Sequence, residues 1–371
     1  MVILSKVKIL ANYLPQFHQT PENDAWWGEG YTDWTAVKAS KPLFNGHTQP
    51  RVPLDNDYYD LSNADSIRKQ ALLAHEYGIS GFAIYHYWFS SKQKLLTKPA
   101  ELLLEQKDLP IEYLFIWDNN TWKRTWSNVK GAVTMASSEY EKKVDPQDSG
   151  ILAKLDYGNE VDWKIHFDYL LPFFKDDRYI KIDNKPVFAF FQPQIDFETI
   201  EKMATYWDEL AKQAGFNGMY CISRDGHHKI GFKHKFRYSP FVPLTWNQYL
   251  FYRSKKEISA RTDKIEFYDY DKEYNKLLED AKKSDKNTWL SGFVGFDDTP
   301  RRGIHGRIIK NGSPQKFYEW FSKLVEISQS QNKPYIFVTA WNEWGEGAYL
   351  EPDSVNKFAY LEQIKRIVDE M

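Results

Sequence analysis

Residues 335–347 read Tyr-Ile-Phe-Val-Thr-Ala-Trp-Asn-Glu-Trp-Gly-Glu-Gly. The first six are aromatic, β-branched or small, as in a strand buried on both faces. They run without a break into Trp341, Asn342, Glu343, Trp344 and Glu346, a cluster both polar and aromatic. A buried strand that ends in such groups is what the C-terminal end of a barrel strand carries, because the loops at that end build the site.

The same unit recurs along the chain. Strands are predicted at Val7–Ala11, Gly81–Tyr87, Tyr113–Trp117, Pro186–Phe191, Met219–Ser223, Phe241–Thr245, Trp289–Val294 and Tyr335–Ala340. Amphipathic stretches predict helices at Ala64–Tyr77, Lys94–Gln106, Trp163–Phe174, Phe197–Ala214, Lys272–Ser284, Gln315–Gln331 and Val355–Asp369. Gly78 and Gly215 fit helix C-terminal caps. Alternating strands and helices predict an α/β chain: a single (β/α)₈ TIM barrel with long βα loops, over residues 1–371. Clear helices are missing after the fifth strand and between the sixth and seventh. A doubly wound sheet is the rival, but Asn12-Tyr13-Leu14-Pro15-Gln16 stands where its Gly-rich phosphate turn belongs. No linker, low-complexity tract or internal repeat divides the chain.

Six of the predicted strands lead into unusual residues. The first leads to Tyr13, Gln16, Phe17 and His18, the second to Tyr85, His86, Tyr87 and Trp88. The third leads to Trp117, Asp118, Asn119, Asn120, Trp122 and Arg124, and the sixth to Trp246 and Asn247. The seventh leads to Asp297, Asp298, Arg301 and Arg302, and the eighth to the glutamate cluster. A barrel gathers these ends on one face.

Aromatic residues make up 17% of the chain, with 14 Trp, 24 Tyr and 24 Phe. Many of the tryptophans, Trp26, Trp27 and Trp34 among them, lie beside polar residues. Flat apolar faces flanked by hydrogen-bonding groups suit sugar rings, and ordinary packing is the alternative for each one. The balance of 49 basic against 51 acidic residues, net −2, argues against nucleic acid or an anionic membrane as the main partner. A single cysteine, Cys221, cannot form an intramolecular disulfide. The first ten residues are too short an apolar run, and too interrupted by lysines, for a signal peptide, so the expected compartment is the cytoplasm. No apolar run approaches the ~18 residues of a membrane span.

Glycoside cleavage needs a proton donor at the leaving oxygen and a second carboxyl group near the sugar carbon. Glu343 and Glu346 supply the pair, Gly345 and Gly347 permit a sharp turn, and Trp341 and Trp344 lower the local polarity. The alternative is an acidic loop making surface ion pairs. His18, His86 and His166 show no metal-ligand spacing, and Asp269-Tyr270-Asp271 matches a metal-holding DxD pattern only in form. No metal or cofactor is expected, and Ser-His-Asp, Walker A and nucleophile-elbow patterns are absent.

Several motifs carry a resemblance. They are Asn12-Tyr13-Leu14-Pro15-Gln16-Phe17-His18, Trp26-Trp27-Gly28 with Tyr31-Thr32-Asp33-Trp34, Tyr85-His86-Tyr87-Trp88, Leu171-Pro172-Phe173-Phe174 with Arg178-Tyr179, Asp298-Thr299-Pro300-Arg301 and Ala340-Trp341-Asn342-Glu343-Trp344. In this order they resemble the WbsX-like proteins, which are encoded with bacterial O-antigen and other surface-polysaccharide genes. Those proteins in turn are similar to glycoside hydrolase family 99, the endo-α-1,2-mannosidases and mannanases, which are (β/α)₈ barrels. The family-99 Asn-Glu-Trp-x-Glu-Gly motif maps onto Asn342, Glu343, Trp344, Glu346 and Gly347. The resemblance implies that Glu343 acts as a base on the sugar 2-hydroxyl, giving a 1,2-anhydro intermediate. It implies that Glu346 is the acid/base at the glycosidic oxygen.

The sequence therefore predicts a retaining glycoside hydrolase acting on an oligo- or polysaccharide, with Glu343 and Glu346 catalytic. Candidate substrate contacts are Tyr13, Gln16, His18, Trp34, Tyr85, His86, Tyr87, Trp88, Trp117, Asn119, Asn120, Trp122, Arg124, Asp297, Arg301, Trp341, Asn342 and Trp344. A glycosyltransferase or transglycosylase in O-antigen or capsular polysaccharide assembly is the second reading. A carbohydrate-binding barrel without turnover is the third.

Overall fold

The computed structural model describes residues 6–123, 151–226, 229–241, 245–262 and 264–371. Eight strands form the barrel: β1 Lys8–Tyr13, β2 Gly81–Ser90, β3 Glu112–Trp117, β4 Lys185–Phe190, β5 Tyr220–Arg224, β6 His234–Phe236, β7 Thr288–Phe293 and β8 Tyr335–Thr339. Each pairs in parallel with the next, and β8 pairs with β1 to close the ring. Closure leaves no sheet edge, and the strands read as near-continuous apolar runs because helices cover their outer faces. All six residues of β7 and nine of the ten in β2 are buried.

Helices Ala64–Glu76, Lys98–Glu105, Glu160–Phe174, Phe197–Gln213, Tyr270–Lys283, Pro314–Ser330 and Ala359–Glu370 follow the predicted ones. Five of these seven starts are capped by short polar side chains, as with Asn159, which accepts from Val161 N and forms a capping box with Asp162. Gly78 and Gly215 stand just past two helix ends, at φ 88° and 95°.

Two expectations need correction. The sixth strand is His234–Phe236, not Phe241–Thr245. It is three residues long and follows a stretch with Lys229 and Lys233 on either side of Gly231, so it offers no apolar run to detect. Phe241 instead has a left-handed φ of 62°, incompatible with a strand, and residues 242–244 lie outside the described residues. The region between the sixth and seventh strands also carries a helix that was not anticipated, Trp246–Thr262. Its apolar residues Trp246, Leu250, Phe251 and Ile258 are exposed, which removes the one-sided pattern that marks a packed helix. Among the described residues, no helix intervenes between β5 and β6.

Candidate active site

The strand after β8 folds back on itself. Asn342–Glu343 pairs antiparallel with Ala348–Tyr349, and Trp344–Glu346 makes the tight turn between them, closed by Gly347 at φ 56°. Three neighbours lock this turn. Asn342 bridges the end of β8 to the end of β1, accepting from Leu14 N at 2.8 Å and donating to Leu14 O at 2.9 Å. Trp344 stacks on Tyr349 at 3.7 Å between ring centroids and donates to Glu351 at 2.6 Å. Trp341 packs on Phe82 of β2. The two tryptophans therefore hold the loop from beneath; both are fully buried and neither faces the cavity.

What the turn presents is a pair of glutamates on one guanidinium. Arg301, in the short helix Thr299–Arg302 after β7, places Nη2 2.8 Å from Glu343 Oε1 and Nη1 3.1 Å from Glu346 Oε1. The Glu343 contact is a close ion pair without hydrogen-bond alignment, since Oε1 has no hydrogen-bond donor. Nη2 also donates to Asp33 Oδ2 at 2.9 Å. Gly345 makes this possible: a Cβ there would lie 2.6 Å from Arg301 Nε.

Glu343 is only 4% exposed. Burial pushes its pKa well above the ordinary range, Arg301 pulls it down, and the charges of Glu346 and Asp33 push it up again. Burial raises Asp33 as well, against the pull of Arg301. One cation faces three carboxyl groups, so repulsion among them adds to burial in favouring the protonated form of Glu343.

The glutamates open onto a cavity of about 460 Å³ at the C-terminal ends of the strands. Gln16, Tyr85, Tyr87, Asn120 and Trp122 line it, as does Arg301. Gln16 donates to the Tyr87 hydroxyl at 2.9 Å. The wall also contains Asp118, Phe191, Gln192, Arg224 and Tyr238, which the sequence reading did not put forward as contacts. Burial pushes Asp118 up to about 6, against a hydrogen bond from Trp122 and the charge of Arg224. Tyr85 and Tyr238 share a hydrogen bond, and Tyr238 senses the charge of Glu346.

The other candidates lie elsewhere. His86 and Trp88 point outward from β2, where His86 Nε2 meets His166 Nε2 at 2.8 Å and Trp88 stacks on His166 at 4.2 Å. Trp117 is 1% exposed and donates to Trp88 O. Tyr13 is buried and donates to Gln70, on the way to Glu351. His18 is buried away from the cavity, and Trp34 packs against Trp344, Tyr59 and Phe17. Asn119 holds Gln192 through its backbone N and O without reaching the cavity itself. Asp297 faces a second, larger cavity of about 600 Å³, and binds His47, Gln49 and Thr299. Arg124 lies outside the described residues. Among the described residues, no group of three His, Cys, Asp or Glu side chains is arranged to hold a metal ion, and no helix is long and apolar enough to cross a membrane.

A profile of the family described as "Glycosyltransferase WbsX" matches residues 9–364. The chain belongs to the WbsX family. The protein described as "Uncharacterized protein WxcX" from Xanthomonas campestris pv. campestris strain B100 is 28% identical over 374 residues, covering 96% of this chain and 49% of the relative. A second strain, ATCC 33913, has a similar WxcX, also 28% identical. This WbsX-family chain thus spans about half the length of the curated relatives it matches. Among solved structures, the GH99 endo-α-mannosidase from Bacteroides thetaiotaomicron superposes with TM-score 0.57 at 14% identity, covering 98% of this chain and 96% of that one. A structure described as "Glycoside hydrolase-like protein" superposes with TM-score 0.58 at 11% identity, over 98% and 95% of the two chains. At such identities the likeness shows a shared glycoside-hydrolase-like barrel.

Proposed function

We propose that this WbsX-family barrel is a carbohydrate-active enzyme that cleaves a glycosidic bond, with retention, in a bacterial surface or related polysaccharide. One observation carries the reading: two carboxyl groups sharing one guanidinium open into a cavity walled by tyrosines and Trp122. A hydrolytic pair needs one proton between two carboxyls, and burial with mutual repulsion supports that count. In the roles implied by the family-99 resemblance, Glu343 as carboxylate takes the proton of the sugar 2-hydroxyl while O2 attacks C1. Glu346 gives its proton to the departing oxygen. Water then opens the anhydro ring at C1, losing its proton to Glu346 while Glu343 returns the first proton to O2. Arg301 orients both groups throughout.

The family description favours a second reading, in which the glycosyl group passes to a sugar acceptor. The two are separated by incubating the protein with a panel of polysaccharides, and with nucleotide sugars with and without Mn²⁺, and following products by mass spectrometry. Shortened glycans that need no nucleotide sugar support cleavage; an extended acceptor that requires one assigns transfer. If glycans bind and no product forms under any condition, the barrel is a binding module.

A further inference from the structure

We infer that Arg224 forms an anion-binding subsite in the cavity shared with Glu343 and Glu346, so that the substrate taken there carries an acidic group. The inference rests on the carbohydrate reading above and deepens it by naming the substrate's charge.

Arg224 ends β5 and lines the cavity. Each of the other arginines of that wall has a carboxylate partner. Arg301 meets Asp33, Glu343 and Glu346, while Arg302 and Arg307 share Asp298. Asp225, also in the wall, is occupied by Lys235 and Arg237. Arg224 forms no ion pair with a carboxylate among the described residues. Its one described hydrogen bond runs from Nη2 to Gln192 Oε1 at 2.7 Å, and its guanidinium lies over the Phe191 ring at 4.1 Å.

Both supports are themselves fixed. Gln192 N donates to Asn119 Oδ1 at 2.8 Å, and Asn119 Nδ2 donates back to Gln192 O at 3.0 Å. A neutral amide on one edge and an aromatic face below orient the planar fork while leaving most of its five donors unspent. A half-buried cation without a counter-ion is unfavourable in the empty protein, and burial accordingly lowers the Arg224 pKa. Asp118, the carboxyl group whose charge it senses, is pushed up by burial to about 6 and makes no ion pair with Arg224 among the described residues. Exposed Lys229 adds a second positive charge at the rim. A neutral sugar has no need of this arrangement. A carboxylate or phosphate oxygen pair matches it in charge and in geometry.

Two sources supply such an anion: an acidic sugar within the glycan, or the diphosphate of an activated donor. The test is calorimetric titration with methyl glucoside, galactoside and mannoside, the three corresponding methyl uronides, mannose 6-phosphate and UDP-glucose. At least one anionic probe is expected to bind tenfold or more tightly than its neutral partner, and 200 mM salt should weaken that preference. In Arg224→Gln the preference should fall below twofold, while Arg224→Lys keeps part of it. Preference for a uronide or sugar phosphate assigns the anion to the glycan, and preference for UDP-glucose assigns it to a donor. No anionic preference in the wild type, or a preference unchanged in a folded Arg224→Gln, overturns the subsite. Glu346→Gln should keep the preference. If no polysaccharide is cleaved yet Arg224→Gln loses anion binding, the cleavage reading fails alone. If a neutral polysaccharide is cleaved and no anion is preferred, the subsite fails alone.

Discussion

Arg301 touches Glu343 at 2.8 Å with the same guanidinium that reaches Glu346 at 3.1 Å. Burial drives Glu343 upward, and this cation is the main force pulling it back. Replacing Arg301 with Met therefore leaves Glu343 protonated to higher pH. On a cleavable substrate, the acid limb of the kcat/KM profile should move up by about one unit or more, with activity at neutral pH falling roughly tenfold or further. Arg301→Lys keeps the charge, loses the two-armed contact, and should fall between. An unmoved acid limb in Arg301→Met would show that the guanidinium does not govern the titration.

Gly345→Ala tests the same contact from the other side. Its Cβ would lie 2.6 Å from Arg301 Nε, inside van der Waals contact. The obstacle is the end of a long side chain, but moving it aside loosens its contacts with buried Asp33 and Glu343. Stability should therefore fall by about 1–3 kcal/mol, while activity drops as Arg301 leaves the glutamates. Thermal melts and rates on one sample measure both. A large melting shift with normal activity would contradict the proposed approach.

The barrel was legible because buried parallel strands carry apolar runs, and the glutamate motif because it follows the last of them. The site was legible only in part. Tyr85, His86, Tyr87 and Trp88 are consecutive, and successive strand residues face opposite ways. Tyr85 and Tyr87 line the cavity, while His86 and Trp88 meet His166 on the covering helix. Applying that alternation to the strand ends separates the two sets without coordinates. Phe191, Gln192 and Arg224 sit at the ends of β4 and β5, so the same strand-end rule reaches them. Asp33 and Tyr238 are different. Asp33 opens a short helix in the long connection between β1 and β2, whose course no local pattern encodes, and Tyr238 stands two residues past β6, a strand too short to carry an apolar run.

That division gives a paired prediction for the tryptophans. Trp117 is fully buried, so Trp117→Ala should cost about 3–5 kcal/mol of stability and leave KM unchanged in whatever protein remains folded. Trp122 lines the cavity, so Trp122→Ala should raise KM for glycans several-fold with a smaller loss of stability. Denaturant unfolding and steady-state kinetics read the two effects. A KM change at Trp117 with none at Trp122 would reverse the assignment.

Glu351 sits beneath the turn that carries the two glutamates, accepting from Trp344 at 2.6 Å and from Tyr59 and Gln70 at 2.7 Å. Burial raises its pKa from 4.5 to about 7, although these donors oppose the shift. A carboxyl group raised on folding binds more protons in the native state, so its contribution to stability falls as pH rises from 4.5 towards 7 and is constant above. Buried His86, lowered by burial to about 3, acts in the opposite direction, because the unfolded chain takes up the proton first. The comparison must therefore be between variants. Relative to wild type, Glu351→Gln should gain up to about 3 kcal/mol between pH 4.5 and 7. A pH-independent difference would mean that Glu351 is ionised throughout.

The glutamates themselves pose the sharpest test. The family-99 resemblance makes Glu343 the base and Glu346 the acid, yet in the empty cavity Glu343 is the deeper of the two and burial favours its protonated form. The proton count is the same either way; what differs is which carboxyl group holds the proton when the bond breaks. Leaving-group dependence separates the possibilities, because an activated aryl glycoside departs with little protonation. If Glu346 is the acid, Glu346→Gln should lose on the order of a hundredfold or more on the natural linkage and far less on an aryl glycoside. Glu343→Gln should then lose on both, since base assistance at O2 is required whatever departs. Rates on matched natural and aryl substrates decide it. The reverse pattern would exchange the roles, placing the acid at the buried position. Near wild-type rates for both variants on the true substrate would remove the pair from catalysis altogether.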